Sequence, residues 1–309
     1  MKEIRLTDDQ YSYLFSPYVS PIATVKPGEV VALYTMDAFS NLMVSNDQTA
    51  TEIFSHLKGD NPQTGPIYIE GAEPGDTLKV EIIDIQPTRD YAASCFKPYF
   101  GGLVPTHYTR MLNDPLPDPC YIYRRDEKGN YTYNERLSFK WEPFLGTIAT
   151  ADKEEVIRTI TPFANGGNMD VPDVKPGNTV YLPVCVPGAY FFTGDVHAKQ
   201  GEGEVCGVAM EITAKVTLKF DLIKHHKISW PRIESADELM CVGSAKPMED
   251  AARIAYCELL GWLMELGWDR MEAYQAITQA GKLYVGNMVD TVYSLVAKID
   301  KEIAYRAQK

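Results

Sequence analysis

The strongest constraint on the fold is an alternation of apolar and polar residues between positions 210 and 222. Every second residue is apolar, and these are Met210, Ile212, Ala214, Val216, Leu218, Phe220 and Leu222. Successive side chains of a β-strand point to opposite faces, so this pattern predicts a long strand with one buried face. Such a strand requires partner strands and a second layer that covers its apolar side.

Three short turn motifs indicate where further strands begin. They are Lys26-Pro27-Gly28-Glu29, Glu73-Pro74-Gly75-Asp76 and Lys175-Pro176-Gly177-Asn178. Pro followed by Gly supplies the backbone angles of a type II turn, and β-forming residues follow each motif. We therefore predict strands over residues 30–34, 77–85 and 179–186. Many strands and no long helical pattern before residue 245 predict a mainly β fold, an antiparallel and jelly-roll-like β-sandwich.

The C-terminal part of the chain has a different pattern. Behind Pro247, apolar residues recur at steps of three and four, which predicts an amphipathic helix. Asp269 is then placed to cap a second helix, so we expect a helical hairpin. Two further runs, at residues 283–285 and 292–299, are predicted to return as strands to the sheet.

The overall composition limits the class of protein. With 309 residues and 45% hydrophobic content, we predict a single domain over 1–309, whose β-rich core (1–230) precedes an α+β part (245–309). The net charge of −12 argues against nucleic acid, because phosphate binding depends on clustered Lys and Arg. There is no apolar export segment and no run near the roughly 20 apolar residues that cross a bilayer. We expect a cytoplasmic protein that binds neither nucleic acid nor membrane.

Residues 194–211 combine four acids and one histidine with four glycines directly after an apolar run. Asp195 and His197 are two residues apart, so in a strand both side chains project from one face and can share a metal ion. Glu202 and Glu204 repeat this spacing. The set suits Zn²⁺ if the site is tight and four-coordinate, or Ca²⁺, Mg²⁺ or Mn²⁺ if it is rich in oxygen. The alternative is a structural one, with bulged turns, a buried histidine and a solvated acidic edge.

Other segments supply further acids and limit the chemistry. Asp37, Glu70 and Asp170 each follow a predicted strand or turn, and for Asp170 a turn-stabilising role is an equal alternative. The sequence has no G-x-S-x-G nucleophile motif and no H-E-x-x-H zinc motif. Because the acids of the glycine-rich segment repel phosphate, we expect an uncharged or cationic substrate.

Several strings of the sequence resemble the acetamidase/formamidase family. They are residues 61–76, 166–170, 182–184, 194–204 and 289–290. The resemblance implies a β-sandwich, usually dimeric, that hydrolyses short aliphatic amides to a carboxylate and ammonia with a divalent metal at the site. It assigns Asp37, Glu70, Asp195 and His197 to the metal site. It also makes Glu204 the expected proton-transfer group.

Two positions depart from the family pattern. Asn165 and Phe144 stand where relatives carry histidine. The resemblance is therefore a weaker guide to the substrate than to the fold. We predict a hydrolase of small uncharged amides that uses Zn or Ca, with Glu204, Asn168 and Glu202 as catalytic residues and Asn168 orienting the amide. The alternative hypothesis is a non-catalytic small-molecule or cation-binding protein with a structural divalent ion.

An aromatic region suggests a partner surface. Residues 91–141 are rich in Tyr and Pro and have weak periodicity, so we expect a long excursion that covers the sandwich. Long irregular segments with exposed aromatic residues often pack against a neighbouring subunit. The sequence therefore predicts a homodimer.

Overall fold

A computed structural model describes residues 1–104 and 117–308 of the chain. The strands in these residues are β1 (Lys2–Ile4), β2 (Leu14–Phe15), β3 (Ala23–Val25), β4 (Val30–Thr35), β5 (Gln63–Ile69), β6 (Thr77–Pro87), β7 (Tyr91–Cys95), β8 (Cys120–Arg125), β9 (Tyr131–Thr132), β10 (Ser138–Phe139), β11 (Phe144–Ala149), β12 (Ile157–Arg158), β13 (Gly166–Asn168), β14 (Thr179–Pro183), β15 (Phe191–His197), β16 (Glu211–Ile212), β17 (Ala214–Ile223), β18 (Arg232–Glu234), β19 (Glu238–Ala245), β20 (Lys282–Asn287) and β21 (Tyr293–Asp300). The helices are α1 (Ala50–His56), α2 (Met248–Glu265), α3 (Arg270–Ala280) and α4 (Lys301–Ala304), which a 3₁₀ turn over Tyr305–Gln308 follows.

Two large sheets form the body of the described structure. One has nine strands in the order β1-β4-β17-β6-β14-β18-β19-β21-β20. The other has ten and runs β10-β9-β8-β7-β16-β15-β11-β13, with β5 pairing with both β15 and β3. Antiparallel pairing dominates, and β1–β4 and β3–β5 are parallel. The mainly β, antiparallel fold is thus confirmed.

The main hydrophobic core lies between the two sheets. The inward-facing residues Val216, Leu218 and Phe220 of β17 are fully buried, as the alternation predicts. Phe220 packs edge-to-face on Phe191 of β15, with ring centroids 4.9 Å apart. The long strand of one sheet therefore supports the strand of the other sheet that carries Asp195 and His197.

The predicted type II turns begin the strands that they precede. Gly28, Gly75 and Gly177 have φ angles of 85°, 92° and 89°, the left-handed conformation that glycine adopts without strain. Strands β4, β6 and β14 start where the sequence predicts. Strand β14 ends at Pro183 and is shorter than the predicted residues 179–186.

The C-terminal helical hairpin and the returning strands are also confirmed. The Asp269 side chain caps α3 by accepting from the backbone N–H groups of Met271 (2.8 Å) and Glu272 (3.3 Å). Leu259 and Leu263 of α2 are buried against the sheet. Strands β20 and β21 join the nine-stranded sheet beside β19. None of the helices in the described residues has the length and hydropathy that crossing a membrane requires.

The aromatic excursion is only partly described. Of the predicted residues 91–141, residues 105–116 lie outside the described part of the chain. The remainder forms β7 to β10, in which β7 pairs with β8 and β8 with β9. These strands extend the ten-stranded sheet beyond β16.

Replacing Arg232 with Met is expected to lower the free energy of unfolding by about 3 kcal/mol. Arg232 lies on β18, and its buried guanidinium donates to both carboxylate oxygens of Glu265 (2.7 and 2.8 Å) and to Glu258 (2.7 Å), joining α2 to the sheet. Urea denaturation measures the change. The control is Arg253→Met, whose exposed pair with Asp250 contributes within about 0.5 kcal/mol. Equal effects of the two changes would contradict the assigned role.

Candidate active site

Neighbouring strands of the ten-stranded sheet bring the charged residues together. Asp195 and His197 lie on β15, and Glu211 of β16 is the cross-strand partner of His197. On its other side β15 pairs with β11, which pairs with β13. Asp170 follows the end of β13 by two residues. Strand register therefore gathers residues that are distant in sequence around one imidazole.

Three buried carboxylates face the same nitrogen of His197. Its Nε2 atom lies 3.3 Å from Oε1 of Glu211, 3.4 Å from Oδ1 of Asp195 and 3.9 Å from Oδ1 of Asp170. Ligand atoms of His197, Glu204 and Glu211 also lie within 4.8 Å of one another. All these residues are buried. His197 thus belongs to two groups of three potential ligands, one with Asp170 and Asp195 and the other with Glu204 and Glu211.

Gln200 determines which nitrogen of His197 carries the proton. Its Nε2 donates to the backbone carbonyls of Asp170 (2.9 Å) and Gly286 (3.1 Å), so its Oε1 must be the atom 2.9 Å from Nδ1 of His197. An amide oxygen accepts, and Nδ1 therefore donates. In the neutral ring, Nε2 then presents a lone pair to the carboxylates, which is the tautomer that binds metal ions.

Asp195 and Asp170 are each held by one carboxylate oxygen and turn the other towards His197. Oδ2 of Asp195 accepts from Asn61 Nδ2 (3.3 Å) and Thr147 Oγ1 (3.2 Å). Oδ2 of Asp170 accepts from Asn168 Nδ2 (2.9 Å) and from the Asn287 amide. Because the second oxygen of each remains directed at the ring nitrogen, the surrounding amides fix the orientation of the cluster.

Two buried oxygens of the cluster lack a hydrogen bond from the described residues. They are Oδ1 of Asp170 and Oε2 of Glu211. Unpaired buried carboxylate oxygens are costly unless a cation compensates them. Two tetrahedral ligands about 2.1 Å from a zinc-sized ion are about 3.4 Å apart, close to the 3.3 and 3.4 Å observed around His197. The residues therefore fit a divalent cation.

The ionisation of the cluster reflects this crowding. Burial raises the pKa of Glu204 to about 8 and that of Asp290 to about 7, and it raises the pKa values of Asp170 and Glu211 well above their usual range. Burial alone lowers the pKa of His197, but the neighbouring Glu211 and Asp195 carboxylates raise it well above its usual value. Without a bound cation, protons must neutralise the site.

Three of the ten non-glycine residues with positive φ in the described part of the chain belong to the cluster. Asp170, Asp195 and Glu204 have φ angles of 50°, 53° and 48°, in the left-handed region that residues with a side chain rarely adopt. Each such conformation costs of order 1 kcal/mol and persists only where the surroundings impose it. Three of them in one buried cluster indicate a site whose geometry is maintained against local preference.

A cavity of about 90 Å³ opens beside the cluster. Its polar wall consists of Asn61, Asn168, Asp195, Glu204, Glu211 and Asp290. Its other wall is largely apolar and is formed by Ala38, Phe39, Phe54, Phe100, Ile160 and Val208. A water molecule needs about 10–15 Å³ by this measure, so the cavity has room for a small organic molecule.

Two of the predicted metal ligands lie outside the cluster. The buried carboxylate of Asp37 is occupied by the Arg89 guanidinium and by the backbone N–H groups of Phe39 (3.0 Å) and Asn41 (2.7 Å). Glu70 is exposed at the end of β5. Asp195 and His197 are brought together as predicted, but Asp37 and Glu70 are replaced by Asp170 and Glu211.

Of the three predicted catalytic residues, Glu204 and Asn168 line the cavity beside the cluster and Glu202 does not. Glu204 is buried and lines the cavity beside the cluster, whereas Glu202 is exposed and lines only a neighbouring cavity of about 540 Å³, which Glu204 also borders. Asn168 lines the site, but its Oδ1 accepts from Asn61 (2.6 Å) and its Nδ2 donates to Asp170 and to Asp290 (2.7 Å). Its amide is therefore occupied in orienting carboxylates rather than free to orient a substrate.

The two departures from the family pattern have structural explanations. Phe144 is the cross-strand partner of His197 on β11, and their rings pack edge-to-face with centroids 4.9 Å apart. The buried Asn165 donates through Nδ2 to the backbone carbonyl of Thr150. Phe144 thus holds the imidazole in place by packing, and Asn165 supports the loop before β13.

Comparison with known proteins finds relatives in one family. The family model described as "Acetamidase/Formamidase family" matches residues 2–156 and 141–297. An acetamidase from Yersinia enterocolitica is 41% identical, with a TM-score of 0.91 over 96% of this chain and 90% of that one. An acetamidase from Bacillus halodurans is 32% identical, with a TM-score of 0.88 over 97% and 98%.

The curated relatives are longer than the region that matches. An acetamidase from Mycolicibacterium smegmatis is 28% identical over 270 residues, which are 67% of this chain and 64% of the relative. Across the curated relatives the matched region spans between 61% and 65% of their length. The family model, in contrast, covers nearly all of this sequence. The chain therefore belongs to the acetamidase/formamidase family.

Proposed function

We propose that the protein is a metal-dependent hydrolase that cleaves a short aliphatic amide to a carboxylate and ammonia. The observation that carries the proposal is the His197 lone pair facing three buried carboxylates beside a cavity that Glu204 lines. Family membership and the acetamidase and formamidase names of relatives support the reaction. The homodimer and the cytoplasmic location stay predictions from the sequence.

His197, Asp195, Asp170 and Glu211 are the residues that would hold the ion, with Zn or Ca as the candidates. A divalent ion there supplies Lewis acidity, which polarises an amide carbonyl and lowers the pKa of water. The hydrogen bonds from Asn61, Thr147, Asn168 and Asn287 keep the ligands in place. This set lacks sulfur, so it does not select between the two ions.

Glu204 is placed to move the proton in this reaction. In the metal-free protein burial raises its pKa to about 8, so its carboxylate is a stronger base than that of an exposed glutamate. It accepts the proton of the attacking water and passes it to the leaving nitrogen. The apolar wall of the cavity then receives the acyl part of the substrate.

Elemental analysis of the purified protein, together with an ammonia-release assay over formamide, acetamide and propionamide, tests the proposal. We expect a stoichiometric divalent ion, ammonia release from at least one amide, loss of release after chelation and recovery on adding the ion back. A stoichiometric ion without release from any amide, and with loss of fold on chelation, would favour the cation-binding alternative.

Replacing Gly146 with Ala is expected to weaken binding of the divalent ion about 10- to 100-fold. A Cβ at this position would lie 2.6 Å from Oδ2 of Asp195, 2.7 Å from Oδ1 of Asp170 and 2.8 Å from the backbone oxygen of Asp195, so both carboxylates and the β15 backbone at Asp195 must shift. Calorimetric titration of the metal-free protein with Zn²⁺ or Ca²⁺ measures the change.

The matched control is Gly261→Ala on α2, where a Cβ meets nothing within 4 Å. This change should leave ion binding unaltered and raise the stability of the helix by up to about 1 kcal/mol. If Gly146→Ala binds the ion as tightly as the control, Asp195 and Asp170 are not the ligands.

A further inference from the structure

One lysine side chain, that of Lys97, lines the cavity beside the cluster. Lys97 lines the cavity with Phe54 and Phe100, and its Nζ atom lies 4.0 Å from the ring centroid of Phe54 and 5.6 Å from that of Phe100. Phe54 in turn packs edge-to-face on Phe39, with centroids 6.0 Å apart. The rings of Phe54 and Phe100 therefore hold the ammonium of the half-buried Lys97 by cation–π attraction.

The positive charge of Lys97 is not used by the ion pairs of the described residues. The nearby lining residue Asp60 pairs with Arg158 instead. Asp195 is held by Asn61 and Thr147, and Asp290 accepts from Asn168. A neutral formamide or acetamide has a carbonyl oxygen that can accept a hydrogen bond but no negative charge to pair with this ammonium.

The lining of the cavity carries groups of both charges. The carboxylates beside His197 would repel an anionic group, whereas Lys97, which lies beside Phe54 and Phe100, would attract one. A molecule with a carboxamide at one end and a carboxylate at the other matches this distribution. The cavity of about 90 Å³ is several times the size needed for one water, so it has room for a short linker.

We propose that Lys97 is a specificity-determining residue that binds a carboxylate on the acyl part of the substrate, so that monoamides of short dicarboxylic acids are preferred over neutral amides. This inference rests on the proposed amide hydrolysis. It names the substrate class, and it predicts that substrate preference depends on the charge at position 97.

The test compares kcat/KM for malonamate, succinamate and glutaramate with that for butyramide, in the complete protein and in Lys97→Met and Lys97→Arg. We expect the wild type to prefer at least one of the acid amides. The ratio of acid amide to butyramide should fall about 10- to 100-fold in Lys97→Met, because an interaction with a charged group is lost, and should largely recover in Lys97→Arg. Lys128→Met, a change at an exposed turn, should leave the ratio unaltered.

A second measurement, inhibition by carboxylic acids, uses only the wild-type protein and so does not require that a variant folds. Succinate should inhibit wild-type hydrolysis of butyramide more strongly than butyrate does, because only succinate has a second carboxylate for Lys97. Equal inhibition by the two acids, or the same substrate ratio in wild type and Lys97→Met, would overturn the inference. If neither neutral nor acid amides release ammonia, the proposed function fails as well, whereas hydrolysis without charge preference removes the Lys97 subsite alone.

Discussion

Glu204→Gln is expected to reduce amide hydrolysis about 10²- to 10⁴-fold while the protein keeps its fold and its divalent ion. Glutamine has nearly the shape of glutamate but cannot accept the proton of the attacking water. Glu204 lines the cavity, and burial raises its pKa to about 8, which suits a group that both accepts and returns a proton. Ammonia release and metal content, measured on the same preparation, check this prediction.

Glu202→Gln is the matched control for that experiment. Glu202 is two residues away in the same glycine-rich segment, but its side chain is exposed and does not line the cavity beside His197. Its replacement should change turnover by less than about twofold, as for most surface substitutions. Unchanged turnover in Glu204→Gln would remove this residue from the mechanism. Loss of the ion would instead make it a ligand, since its carboxylate lies near His197 and Glu211.

The sequence predicts most of the fold because its signals there are local. Alternation alone indicates which residues of β17 face the core, and the Pro-Gly turns indicate where β4, β6 and β14 begin. The end of a strand depends on its partners instead. β14 stops at Pro183, where its pairing with β6 also ends, and no local pattern records that limit.

The site is predictable only where neighbouring residues form it. Asp195 and His197 share a strand, so their spacing suffices. Glu211 belongs to the same acidic segment, but its role depends on the register of the β15–β16 pair, which places it opposite His197. Asp170 and Asp290 arrive from loops whose position follows from the whole topology. The signal that could have found Asp170 was its place in a glycine-rich string, which a turn explains equally well.

The two predicted metal ligands that lie outside the cluster, Asp37 and Glu70, show what a sequence motif leaves undetermined. Asp37 follows β4 and is buried, as a ligand would be, but Arg89 neutralises it. Glu70 belongs to a string that matches the family and yet faces solvent. A carboxylate can bind a metal ion only if no Lys or Arg side chain of the folded protein already pairs with it. That is a property of tertiary contacts and not of a motif.

Removal of the divalent ion is expected to lower the thermal stability of the protein, and to do so more strongly at pH 8 than at pH 6. In the metal-free protein, burial raises the pKa of Glu204 to about 8 and that of Asp290 to about 7. The folded state therefore holds protons that the unfolded chain releases above about pH 4.5, the ordinary range of carboxyl groups. The contribution of these two groups to stability is fully present below that pH and is lost as the pH rises towards 8.

The metal-loaded protein should respond differently to pH. The ion binds ionised carboxylates and the neutral imidazole of His197, so its affinity rises as the pH rises. At a free concentration 100 times the Kd it contributes about 2.7 kcal/mol, or roughly 5–10 °C in Tm. We expect the gap in Tm between loaded and chelated protein to widen from pH 6 to pH 8. The Gly146→Ala variant, whose ligands are displaced, should show a smaller gap at both values. Parallel curves for the loaded and chelated wild type would mean that no ion binds within this buried carboxyl cluster, because the protonation of its carboxyl groups would then be independent of the ion's presence.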